Sequence, residues 1–168
     1  QGMVIPFRSG FGSGNVPMLM TDKGSLFVGG TNRGWGSRGG QPYALDRLDW
    51  SGKLPFEVHE MRIEPDGFTV TFTKPVDKAT AGSLSSYSMK TFTYIMQSAY
   101  GSPEVDHTTP TIKSVKVADD GRSVRLVVDG LQIGHIHHLS MPGLKSNDES
   151  WPLLHKDAYY TLWHLPNR

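Results

Sequence analysis

A chain of 168 residues with a formal net charge of +1 and no cysteine suits one ordinary domain, or a compact domain with a shorter appendage. The near-balanced charge creates no field suited to a nucleic-acid groove or an anionic membrane surface. Without cysteine there is no disulfide framework, no thiolate metal site, no thiol nucleophile and no Cys-x-x-Cys-His haem attachment.

The 19 Gly and 11 Pro are spread along the chain, which argues against long helices and for many turns between short strands. Residues 1–52 are the glycine-rich part. Two strand-like runs stand out there, Ser25–Val28 and Tyr43–Trp50, separated by the loop from Gly29 to Gly40. Two short strands and a long loop cannot bury a core alone. This segment is therefore expected to pack on the remainder of the chain or on structure outside it. Its mild excess of Arg and Lys reads as a solvated face.

Residues 53–168 change to clean alternation with regular turn signals, the pattern of a half-buried antiparallel sheet. Phe56–Ile63 alternates, Pro65-Asp66-Gly67 turns, and Phe68–Phe72 alternates again. Pro75–Ala81 allows one helical turn at most, after which Tyr87–Met96 returns to strand composition. Ile112–Val117, Asp119-Asp120-Gly121 and Val124–Val128 repeat the hairpin grammar, and further strands are expected at Ile136–Met141 and Ala158–Leu162. About seven short strands at this spacing predict an all-β immunoglobulin-like or fibronectin-like β-sandwich.

Three places could carry chemistry. His135 and His137 lie two apart and would share one face of a strand, as paired imidazole ligands to zinc do. His59, His107, Glu104, Asp106 and His155 are nominal further ligands, and a partly buried structural histidine is the competing reading. The segment Tyr100–His107 gathers Ser102, Glu104, Asp106 and His107. Neighbours on one loop seldom converge as a nucleophile, base and orienter, so a structured loop is expected there. Glu60 with Glu64, and Asp119 with Asp120, read as a solvated strand face and a turn. The tryptophans could offer stacking platforms for sugars, with Trp35 in its glycine loop the best placed and Trp50, Trp151 and Trp163 expected in packing roles.

The string Gly24-Ser-Leu-Phe-Val-Gly-Gly-Thr-Asn-Arg-Gly-Trp-Gly-Ser-Arg-Gly-Gly40, followed by Tyr43-Ala-Leu-Asp-Arg-Leu48 and Trp50-Ser-Gly-Lys-Leu-Pro-Phe56, resembles the last blade of β-propellers in large secreted bacterial proteins. Those proteins are similar to glucose or sorbosone dehydrogenases, and many carry a haem-c domain. Asp66-Gly-Phe68, Tyr100-Gly-Ser-Pro-Glu104, Gly134-His-Ile-His137 and Tyr159-Tyr-Thr-Leu162 resemble the sandwich that follows such a propeller. The resemblance implies a non-catalytic accessory domain that packs on or spaces the remainder of a propeller-containing polypeptide. It implies an extracytoplasmic setting, with any export signal upstream of Gln1, and an active site built from blades outside this chain.

Two other functions stand as alternatives. One is a carbohydrate-binding module using Asn32, Arg33, Trp35, Arg38 and Tyr100. The other is a metal-dependent enzyme centred on His135 and His137. No cofactor other than such a metal ion is expected, and neither nucleic acid nor membrane insertion.

Overall fold

A computed structural model describes residues 1–34 and 36–167. The chain divides into two units, Gln1–Pro6 with Leu54–Arg168, and Phe7–Lys53. The larger unit is a sandwich of two antiparallel sheets, as the alternation predicted. One sheet has the order β1 (Gly2–Val4), β12 (Asp157–Leu162), β11 (His135–Ser140), β7 (Ser88–Tyr94), β8 (Glu104–Thr108). The other has the order β5 (Val58–Glu64), β6 (Gly67–Phe72), β10 (Ser123–Asp129), β9 (Thr111–Val117).

Period-2 patterning decides which side chains enter the core. Phe68, Val70 and Phe72 of β6 point inward beside Val124, Leu126 and Val128 of β10, with Leu126 opposite Phe68 and Val124 opposite Val70. From the facing sheet come Met89, Leu139, Ala158, Tyr160 and Leu162. Phe68 meets Tyr160 edge-on across the layer at 5.4 Å between ring centroids. Each such side chain is worth on the order of 1.5–3 kcal/mol when fully buried. Together they form one continuous core.

Asp66-Gly67 closes the β5–β6 hairpin as the sequence indicated, and the one helical turn is α1 (Lys78–Ala81). Its N-cap is Asp77, whose carboxylate accepts from the Thr80 amide at 2.8 Å. The structure adds two strands to this unit that the sequence pattern did not indicate. Strand β1 comes from the opening residues and pairs Gly2, Met3 and Val4 with Thr161, Tyr160 and Tyr159. Strand β8 runs through a segment read as loop. The first six residues thus belong with the sandwich rather than with the glycine-rich part.

The smaller unit is a three-stranded antiparallel sheet, β2 (Asn15–Met20), β3 (Leu26–Thr31) and β4 (Tyr43–Leu48), with β3 in the middle. Among the described residues its interior is slight: Val28 is the buried hydrophobic residue, with Ser13 and Ser25 the buried polar ones. Ser13 donates its hydroxyl to the Gln41 carbonyl at 2.7 Å, Gly12 donates its amide to Asp46 at 3.1 Å, and Ser25 donates to Asp49 at 2.5 Å. Loop-to-sheet hydrogen bonds do here what apolar packing does in the sandwich. Among the described residues no helix is long and apolar enough to cross a membrane.

Candidate functional site

Register assigns the faces of the small sheet, because residues directly opposite each other project from the same side. Leu19, Phe27 and Arg47 form one row; Gly29 with Leu45, and Thr31 with Tyr43, continue the same face. The Pro17 ring lies against Gly29, close enough that a Cβ there would come within 2.8 Å of it. Tyr43 is 79% exposed, Leu45 76%, and Leu19 is exposed as well. The Arg47 guanidinium lies over the Phe27 ring at 5.7 Å and pairs with Asp49 at 2.9 Å. Hydrogen bonds from Ser25 and then Arg47 hold the Asp49 carboxyl below its ordinary range. On the opposite face, Met18 stands in the row of Val28 and Asp46, and Met20 in the row of Leu26 and Leu48. Both methionines are exposed, so each side of this sheet presents apolar groups to water.

The candidate ligand residues of the same unit lie in its loops. Asn32 accepts from the Gly34 amide at 2.9 Å, and Arg33 takes a left-handed backbone with φ 52 while its amide donates to Thr31 Oγ1 at 3.1 Å. Arg33 and Arg38 are exposed. Trp35 lies outside the described residues. Tyr100 belongs to the other unit, fully exposed on the loop between β7 and β8. The packing role expected for the other tryptophans is not what the structure shows. Trp50 donates to the Lys53 carbonyl, Trp151 carries the Lys74 ammonium over its ring at 4.4 Å, and Trp163 follows the end of β12, all three exposed.

His135 and His137 do share the inner face of β11, yet no group of three candidate metal ligands occurs among the described residues. His137 is fully buried against Phe68 at 5.6 Å, and its Nε2 accepts from the Gln132 amide at 3.3 Å. Its proton is therefore on Nδ1. Burial pushes its pKa down to about 4. The His135 Nδ1 lies 3.2 Å from the Ile133 carbonyl, to which it donates. His107 rests against Phe92 at 5.9 Å, and no hydrogen bond joins it to Ser102 among the described residues.

Two histidine–carboxylate pairs were not legible beforehand. His155 Nδ1 meets Glu57 at 2.9 Å, and the same carboxylate accepts the His155 amide at 2.7 Å, which ties a late loop to the start of the sandwich. On the outer face of the five-stranded sheet, His138 Nε2 lies 2.9 Å from Asp157, and its ring stacks on Tyr159 at 4.4 Å. Burial raises the Asp157 pKa, but hydrogen bonds from His138 and Ser140 outweigh it and hold the carboxyl below its ordinary range. The carboxylate thus sits between the hydroxyl and the imidazole. A nucleophilic triad requires the imidazole in the middle, so this trio lacks that arrangement.

The same outer face carries an exposed ring farther along β7, Tyr94, 50% exposed. Tyr94 stands edge-on to Phe92 at 5.6 Å and 84°, and Glu104 lies opposite it in the register of β7 and β8.

No protein-family model matches the chain, and no curated protein matches it. It is similar to solved structures of the bacterial S-layer protein SbsC. A crystal structure of rSbsC(31-844) is 27% identical over 66% of this chain and 14% of that one, with a TM-score of 0.49. A structure of the N-terminal part of SbsC is 27% identical over 64% of this chain and 24% of that one, with a TM-score of 0.47. The chain spans under a quarter of the length of each. At these scores the likeness supports no statement about role, and the reading of the site stands on the geometry above.

Proposed function

We propose that the chain is a non-catalytic accessory domain of a larger exported polypeptide, of the sugar-dehydrogenase-like propeller kind that its sequence resembles. In this reading the immunoglobulin-like sandwich is the self-sufficient part, and the glycine-rich unit is a sheet layer that packs on neighbouring β-structure. The observation that carries it is the small sheet itself. Leu19, Tyr43 and Leu45 are exposed on one face and Met18 and Met20 on the other, and Val28 is the one buried hydrophobic residue among those described in the unit. A β-sheet with an apolar face is stable as one layer of two or three, and contiguous exposed apolar surface marks an interaction site.

The test is to express the polypeptide encoded upstream of Gln1 as a separate chain together with this one and to measure co-purification. Association is expected, and the double substitution Tyr43→Ser with Leu45→Ser is expected to weaken it at least about tenfold. An upstream frame without repeated β-strand patterning, or association that the serine pair leaves unchanged, overturns the reading.

A further inference from the structure

Among the described residues the three sheets end in six edge strands: β1 and β8, β5 and β9, β2 and β4. An edge strand carries unpaired N–H and C=O groups that can take another strand. Proteins blunt such edges with bulges, prolines, charged side chains (lysine above all) or short length. Strand β1 has three residues. Strands β2, β5, β8 and β9 each hold one residue more than the facing stretch of their neighbour, a bulge that lies in the outer strand every time. Pro17 further guards β2, exposed Lys113 and Lys116 guard β9, and β8 passes through Asp106 with a left-handed backbone, φ 55.

Strand β4 has none of these devices. Its register with β3 runs unbroken from Tyr43 to Leu48, with neither proline nor lysine. Among the described residues no backbone group of Tyr43–Leu48 bonds to any strand or loop other than β3. Alternate residues of an antiparallel strand turn their N–H and C=O groups to the outer side, so this edge is an open ladder. Its two charged side chains are engaged within the unit: Asp46 accepts from the Gly12 amide at 3.1 Å, and Arg47 pairs with Asp49 at 2.9 Å. A two-fold axis normal to a sheet carries each face onto itself, so two copies of β4 pair antiparallel only with residues of the same face opposite each other. With the axis at Leu45, Tyr43 stands opposite Arg47 of the partner subunit, Ala44 opposite its Asp46, and the two Leu45 side chains meet. That register sets a cation beside an aromatic ring and opposes no like charges. An axis at Asp46 or at Arg47 sets that charge against its own copy, which is destabilising, and an axis at Ala44 shortens the overlap.

We propose that two copies of this chain associate edge to edge through β4, antiparallel about an axis at Leu45, so that their small sheets join into one continuous sheet. Main-chain hydrogen bonds supply the attraction, and the Tyr43, Leu45 and Arg47 row fixes the register. This goes beyond the packing role: it uses the edge of the small sheet rather than its faces, and it needs no upstream polypeptide. The contact is small, in the size range of weak and transient interfaces, so a Kd on the order of 100 µM is expected.

The experiment follows the full chain alone by sedimentation equilibrium from about 10 µM to about 1 mM, a range that brackets that affinity. The mean mass should rise from one chain toward two. Amide hydrogen exchange on the same samples should show alternate amides of Tyr43–Arg47 gaining protection with concentration while those of β2 do not, a readout that needs no variant. Leu45→Lys and Leu45→Glu, each alone, set like charges face to face at the axis and should weaken association at least about tenfold. An equimolar mixture of the two should recover it, because the charges at the axis are then opposite. Amide NMR spectra check that the small sheet is intact in both variants. The proposal is overturned if the chain stays monomeric at about 1 mM, if the amides that gain protection lie outside β4, if either variant alone associates as the wild type does, or if the two folded variants stay apart when mixed. Each of these outcomes leaves the co-purification test of the packing role unaffected, since no upstream polypeptide is present.

Discussion

His137 shows what a single buried side chain imposes on the whole. It has no exposure, its Nε2 already accepts the Gln132 amide, and burial holds its pKa near 4. In an unfolded chain the same group titrates at about 6.5. Between these values the unfolded chain binds a proton that the folded chain does not, so stability falls as pH drops through that window. The full effect is on the order of 3 kcal/mol. Urea unfolding at about pH 7, 5.5 and 4 should show the wild type losing that much more stability than His137→Gln, whose amide can still accept from Gln132 but takes up no proton. Parallel pH profiles for the two proteins would refute the assignment. The pairing of His135 and His137 on one face was legible from their spacing, but its consequence was not. Depth decides between a ligand and a core residue, and depth is set by Phe68 and Tyr160 on strands far away in sequence.

At the level of the element, the β5–β6 hairpin depends on one atom that is missing. A Cβ on Gly67 would lie 1.9 Å from the Leu126 carbonyl oxygen, which is backbone of the neighbouring strand and cannot step aside. Gly67→Ala must therefore shift β6 against β10, and a loss of about 3 kcal/mol or more is expected in denaturant unfolding. A change under about 1 kcal/mol would mean that the turn relaxes more easily than the register allows. This hairpin, and the one formed by β9 and β10, could be read in advance because hydrophobic alternation and an Asp-Gly turn are local signals. The strands that escaped notice lack them. In β2, Asn15–Met20, every residue is exposed and Pro17 interrupts the run, so no period-2 pattern survives. Strand β8 is polar and lies at a sheet edge, where only one neighbour shapes it. Strand β1 owes its existence to Tyr159, Tyr160 and Thr161, at the opposite end of the chain. Trp163 was read as packing because the Ala158–Leu162 alternation was carried one position too far, whereas β12 ends at Leu162 and leaves the indole in solvent.

For the whole molecule, the path of the chain matters more than its length. The backbone contributes β1 to the sandwich, leaves at Pro6, and returns at Leu54. The main core runs from Phe56 to Leu162, and the partly buried Met3 and Ile5 pack against it from the opening segment. Among the described residues, no member of that cluster comes from 7–53. Replacing those residues by a short Gly-Ser linker should accordingly leave a cooperatively folding sandwich, its midpoint within a few degrees of the intact chain, since a shift of about 1 kcal/mol moves such a domain by roughly 4–8 °C. Removing residues 1–6 as well takes away β1 and the two apolar side chains that pack on the core, Met3 and Ile5, and should cost a further 1–3 kcal/mol or about that. The excised 7–53 segment, with Val28 as the one buried hydrophobic residue among those described, should show neither a cooperative melt nor protected amides. If it folded alone, its bare faces would no longer require a partner, and the packing role proposed for them would lose its physical basis.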